Sequence, residues 1–285
     1  MGCRKLVLLL WGVMLAGTIS PALFGEVLRV QGSTTVNPVV AEALEILREE
    51  RGVQYRIDTL GGSAGGIRAV GTGAADVGMS SKVIGDEDRR RHPGVDFHET
   101  VIAVDAVALV VGRDVWEAGV RALSREQMRA IYERPGVNWT EFGGPNRRVV
   151  FFNKEPGRGT WSVFAEWLYG DPGEAPPVSH PEVGANEEVR TKVSRTRGAL
   201  SQLSASWVDG RTVFALGIVN DSGETVRPEG EALATGGYPL SRPLLLVTEG
   251  EPKGAARELI EFLLEPEGQV LVRRHGYLFV EEAGL

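Results

Sequence analysis

Cysteine is almost missing from this sequence. The single one among 285 residues is Cys3, and it lies in a segment that reads as a leader. Once that leader is removed, disulfides, a thiol nucleophile and a cysteine metal site are all excluded. An excess of basic residues is missing too: 31 Lys and Arg stand against 38 Asp and Glu, a net charge of −7. That balance argues against nucleic acid or an anionic membrane as partner, because both select basic surfaces. An anion would have to be drawn by local dipoles and a few cations, not by the global field. Histidines are few: His92, His98, His180 and His275. His92 and His98 flank Pro93-Gly94 at a spacing typical of no metal motif and read as exposed loop residues, so no metal site is expected. No segment fits Gly-x4-Gly-Lys-Ser/Thr, which removes support for nucleotide hydrolysis, and no cofactor is implied. No internal repeat or low-complexity stretch is visible.

Long apolar runs are also scarce. The N-terminal one, Leu6 to Ala16, is too short for a comfortable membrane span. Preceded by Arg4 and Lys5 and followed by the small-residue exit Ser20 to Gly25, it reads as a secretory signal peptide. Cleavage fits after Ala22 or Gly25, and Gly25 is taken as the boundary, giving a leader over 1–25. Its loss takes the charge from −7 to −9. Cys3 precedes the apolar stretch, whereas a lipoprotein cysteine would follow it. A secreted, periplasmic location without a lipid anchor is expected.

What the chain does have is glycine next to hydroxyls. Four such segments stand at its joints: Gly32-Ser33-Thr34-Thr35, Gly61-Gly62-Ser63-Ala64-Gly65-Gly66, Gly78-Met79-Ser80-Ser81 and Gly157-Arg158-Gly159-Thr160. The first, second and fourth lead straight into helical patterns. A helix start offers unpaired N–H groups and a partial positive charge, a ready site for an anion. Small residues let the backbone approach, and hydroxyls add donors without net charge. Several such starts in one chain suggest one oxyanion held among converging helix ends.

The surrounding pattern alternates strand and helix. Val27 to Val30, Tyr55 to Leu60 and Ala75 to Met79 read as strands, and Val36, Val39, Val40, Ala43, Leu44 and Leu47 recur at helical spacing before Gly52. Such alternation predicts an α/β fold with a parallel sheet covered by helices. Val101 to Val111 suits a fully buried strand. Ser124-Arg125-Glu126-Gln127 is a capping box that opens another helix. Two extended segments, near 104–111 and 240–248, are placed to cross between two domains.

The order of the four segments, with Asp76-Val77 ahead of the third and Tyr238-Pro239-Leu240-Ser241-Arg242-Pro243-Leu244 near the end, resembles the periplasmic phosphate-binding proteins of ABC importers. The resemblance spans nearly the whole chain after the leader. It implies a two-lobed periplasmic binding protein of type II with two crossover strands as hinge. Lobe one would hold 26–103 and 240–285, and lobe two 104–239. It also implies capture of inorganic phosphate or a similar oxyanion between the lobes, delivery to an ABC importer permease, and action as a monomer that is not an enzyme. Carried over, it puts Ser33, Thr34, Ser63, Gly159 and Thr160 on the ligand. Three positions depart from the family's best-known members: Ser81 replaces an aspartate, Lys154 an arginine, and Arg158 a serine. Lysine acts as a point charge where arginine grips as a planar fork, and Arg158 either restores that fork or points to solvent. Ser81 can accept a hydrogen bond but repels nothing, so selectivity over sulfate or arsenate is open.

Other classes of function remain. Gly61-x-Ser63-x-Gly65 matches a hydrolase nucleophile elbow, which would make Ser63 a serine nucleophile with a downstream histidine. That elbow leaves the other three segments without a purpose. A secreted anion-binding lobe serving as sensor or adhesin is the third class.

Overall fold

The computed structural model describes residues 27–229 and 231–279. The leader expected over 1–25 lies outside them.

The chain opens with β1 (Leu28–Gly32), α1 (Asn37–Arg51), β2 (Tyr55–Asp58), α2 (Gly62–Gly71) and β3 (Val77–Ser80). In α1 the residues at helical spacing, Val39, Val40, Ala43, Leu44 and Leu47, are all buried. Pro38 falls in its first turn, and Gly52 closes it in a left-handed conformation, donating its N–H to the Arg48 and Leu47 carbonyls. Helix α2 lies unusually close to the strands beneath it. A Cβ on Gly66 would stand 2.6 Å from the Gln31 carbonyl oxygen and 2.9 Å from that of Met79.

After α3 (Asp86–Arg91) comes β4 (Phe97–Gly112), the strand expected from the apolar run but longer at its start. It is followed by α4 (Arg113–Glu117), β5 (Ala122–Ser124) and α5 (Arg125–Glu133). The capping box at α5 forms as its sequence predicts. Ser124 Oγ accepts the Gln127 N–H at 3.2 Å, and Gln127 Oε1 accepts the Ser124 N–H at 2.9 Å. Next come β6 (Val150–Lys154), α6 (Gly159–Tyr169), β7 (Glu182–Val183), α7 (Asn186–Arg195), β8 (Ala199–Ser204), β9 (Val213–Val219) and β10 (Thr225–Val226). The chain then runs through α8 (Glu231–Ala234), β11 (Ser241–Glu249), α9 (Gly254–Leu264) and α10 (Pro266–Arg274).

The strands lie in the order β2-β1-β3-β11-β4-β8-β6-β7. The sheet is not parallel throughout, as alternation alone suggested. It consists of two parallel blocks, β2-β1-β3 and β8-β6-β7, joined by antiparallel pairings of β11 with β3 and β4 and of β4 with β8. The reason is topological: the chain leaves the first block along β4 and returns along β11, so these strands run in opposite senses. Their register sets Arg242 directly opposite Asp105.

The apolar interior follows the same division. One cluster gathers Leu28, Val30, Leu44, Leu47, Leu244, Leu246 and Leu259. Another gathers Leu109, Trp139, Phe151, Phe164, Leu200 and Leu240. No helix among the described residues is long and apolar enough to cross a membrane.

Candidate functional site

The carboxyl ends of the two parallel blocks face each other across the crossover strands, and the glycine–hydroxyl segments meet there. Ser33, Thr34, Thr35, Gly62, Ser63, Ser81, Lys154, Arg158, Gly159 and Thr160 line one cavity of about 10 Å³. All eight residues singled out in the sequence are in that lining; Thr35 and Gly62 are additions. The room is that of roughly one water molecule, because the walls are drawn together until they touch. A larger cavity of about 590 Å³ opens beside Trp116 and Phe214, but its lining includes none of these segments and mixes Asp209 and Glu229 with Arg227.

Each segment is positioned by its own local physics. Ser33 leaves β1 and forms a turn in which its Oγ accepts the Thr35 N–H at 3.2 Å. The first segment therefore does not run straight into a helix: α1 begins only at Asn37, whose N–H reaches the Ser33 carbonyl at 3.0 Å. Ser63 and Thr160 do sit in the first turns of α2 and α6. Ser81 follows β3 and receives the Ser33 hydroxyl at 3.0 Å, while its own N–H binds Ser63 Oγ at 3.0 Å.

The walls close on one another through named contacts. The Ala64 N–H, at the start of α2, donates to the Gly157 carbonyl at 3.0 Å. A Cβ on Gly159 would lie 2.5 Å from Ser81 Oγ and 2.7 Å from Ser63 Oγ, so only glycine permits this approach. Asn186, at the start of α7, gives its side-chain N–H to Thr35 Oγ1 at 3.0 Å.

Three cations surround the cavity, each held differently. Lys154 is 1% exposed and donates to the Gly184 carbonyl at 2.8 Å and to Asn186 Oδ1 at 3.0 Å. Both acceptors are neutral, and an ammonium has three protons to give. Burial, then the positive charges of Arg158 and Arg242, bring its pKa down to about 7, against a weaker opposite pull from Glu188 and Glu155. Arg158 lies against Gly62 but spends two of its nitrogens on Glu155 Oε2, at 2.9 and 2.7 Å. The third cation is Arg242, which sequence reasoning did not place in the site. Its Nε and Nη2 bind Asp105 Oδ2 at 3.1 and 2.8 Å, with both side chains 1% exposed. Its Nη1 reaches Thr160 Oγ1 at 3.0 Å and Ser81 Oγ at 3.3 Å, and its Nη2 reaches Thr35 Oγ1 at 3.3 Å. The planar fork at this cavity is thus Arg242, from β11, rather than Arg158. It touches hydroxyls from both walls.

The nucleophile-elbow reading needs a histidine beside Ser63. None of the four lines the cavity. His180 bonds the Tyr132 carbonyl, His275 bonds Glu42, His98 faces Glu251 and His92 packs on Phe97. Chemically the cavity is lined by hydroxyl and N–H donors beside the buried Lys154, whose acceptors are neutral, an arrangement suited to holding an anion.

Comparison with known proteins agrees with that geometry. A family model described as PBP superfamily domain matches residues 19–267. The phosphate-binding protein PstS of Bacillus subtilis is 30% identical over 259 residues, covering 90% of this chain and 81% of that protein. The PstS of Borreliella burgdorferi is 22% identical and covers 90% and 91%. Among solved structures, a putative phosphate ABC transporter substrate-binding protein with bound phosphate from Clostridium perfringens superposes with a TM-score of 0.78. It shares 28% identity and covers 90% of this chain and 100% of that one.

Proposed function

The chain belongs to the PBP superfamily and to the PstS-type phosphate-binding proteins within it, and from that premise we propose that it captures inorganic phosphate between two lobes and hands it to an ABC importer. It does so outside the cytoplasm, in the periplasm, as a binding protein and not as an enzyme. Lobe one comprises 26–103 and 240–285, and lobe two 104–239. The separation of the apolar clusters supports this division, since one draws on residues up to Ala103 and from Leu244 onward and the other on residues between them.

The observation that carries the reading is the convergence on a single cavity of hydroxyls from both blocks with Lys154 and Arg158, backed by Arg242, which bonds three of those hydroxyls. Ser33, Thr34, Ser63, Ser81 and Thr160 supply hydrogen bonds, Gly159 supplies backbone access, and Lys154, Arg158 and Arg242 supply charge. Such donors are strongest when water is excluded, which closure of the lobes achieves.

Calorimetry with phosphate on refolded, ligand-free protein is the direct test. The Ser63→Ala and Thr160→Ala variants should each weaken binding by about 1.5–3 kcal/mol, the worth of a hydrogen bond to a charged group, while the fold stays intact by circular dichroism. Undiminished affinity in both would remove these residues from the site. Absence of phosphate binding in the parent protein would remove the function.

A further inference from the structure

Asn186 does not line the cavity, yet it is 1% exposed and both ends of its amide are engaged. Its Oδ1 accepts from Lys154 Nζ at 3.0 Å, and its Nδ2 donates to Thr35 Oγ1 at 3.0 Å. The direction of the amide follows from its partner. An ammonium only donates, so the amide oxygen faces Lys154 and the amide nitrogen faces the opposite wall. Helix capping does not account for this residue, because the N-cap of α7 is Ala185.

Each end is anchored to its own block before the two meet. Lys154, at the end of β6, also holds the Gly184 carbonyl at 2.8 Å, and the Gly184 N–H is pinned by Glu188 Oε2 at 2.8 Å. The turn that carries Asn186 is therefore fixed from behind. Thr35, beyond β1, is fixed on the other side. Its N–H donates to Ser33 Oγ at 3.2 Å, its carbonyl accepts the Tyr277 hydroxyl at 2.7 Å, and its Oγ1 accepts from Arg242 at 3.3 Å.

We propose that Asn186 is a positioning residue that latches the closed site, acting through Thr35 and never touching the anion. This rests on the phosphate-capture reading given above and adds a residue to that same site. With Asn186 on one lone pair and Arg242 on the other, Thr35 Oγ1 has its acceptors filled, and its proton is left to turn toward the cavity that Thr35 lines. The amide bond crosses from one wall to the other, so parting the walls breaks it. A contact made in only one of two states shifts the balance toward that state, and here it favours the closed, anion-holding one.

The test is a double-mutant cycle on inorganic phosphate affinity, measured by calorimetry on the parent, Asn186→Ala, Thr35→Val and the double variant. Asn186→Ala should weaken binding about tenfold in the parent, and by a factor at least about threefold smaller in the Thr35→Val background, where its partner oxygen is gone. In a Thr35→Ser background, which keeps the hydroxyl, the full loss should return. A difference between the parent and Thr35→Val backgrounds smaller than about threefold overturns the latch and leaves the proposed function standing. Melting temperatures of the same four proteins without phosphate should be additive. Coupling there as strong as in binding means that the contact holds the fold in both states, and it too overturns the latch. A parent that binds no phosphate overturns latch and function together. Circular dichroism reports folding; where Asn186→Ala is unfolded, Asn186→Ser, one bond shorter, takes its place with the same limits.

Discussion

Lys154 carries the sharpest prediction at the scale of single residues. Its pKa falls from 10.5 in the free side chain to about 7, first through burial and then through Arg158 and Arg242. Between those values the unfolded chain holds a proton that the folded chain has released, so this group makes ligand-free stability rise with pH from about 7 towards 10.5. Anion binding has the opposite slope. A bound dianion favours the ammonium, so above pH 7 a proton is taken up with the ligand and affinity falls, by up to about tenfold per pH unit. Sulfate, which does not titrate in this range, is the clean probe if it binds; otherwise phosphate data must be corrected for its own ionisation. Lys154→Arg should flatten the curve. The two residues most easily missed share one disguise. Arg242 stands in the extended run 240–248, and Asp105 interrupts the apolar run Val101 to Val111. Each reads as a blemish in a buried strand, and only as a pair does either make sense, because a lone buried charge is prohibitively unstable. Asn186 offered no signal, since a single asparagine at a helix start is ordinary capping chemistry.

At the scale of elements, the cavity depends on how closely α6 approaches the turn after β3. Gly159→Ala would put a methyl group within 2.5 Å of Ser81 Oγ. The clash falls between the two walls rather than inside either core, so the variant should fold and melt like its parent yet bind phosphate much more weakly. Calorimetry alongside thermal melting checks both halves of that outcome. Most elements around the site were legible because their signals are local: helical spacing in α1, the capping box of α5, glycine beside hydroxyl before α2 and α6. Two features were not. The delay of α1 to Asn37 depends on the turn built by Ser33, which competes with helix formation through its own hydroxyl. The antiparallel joining of the two parallel blocks depends on strand pairings far apart in sequence, which no local periodicity reports.

For the molecule as a whole, Arg158 and Arg242 each arrive with a carboxylate partner, whereas the Lys154 ammonium bonds only neutral acceptors, so its burial is the charge that opposes closure until an anion offsets it. Small-angle scattering should therefore give a smaller radius of gyration with saturating phosphate than without it, and an unchanged radius would contradict an anion-driven closure. The Arg242–Asp105 pair behaves differently from everything else in the site. Its partners sit face to face on the two strands that cross between the halves, on the axle rather than on either wing. In the two-lobed arrangement proposed above, swinging the wings would change the spacing between their hydroxyl edges and leave this spacing alone. The guanidinium is a fixed mooring, already electrically balanced by its carboxylate, and parting of the walls would take Thr160 Oγ1 from its Nη1 and free that donor for an anion. Because that pair carries no net charge, ionic strength should act on the rate of anion capture through the rest of the molecule and hardly at all through this mooring.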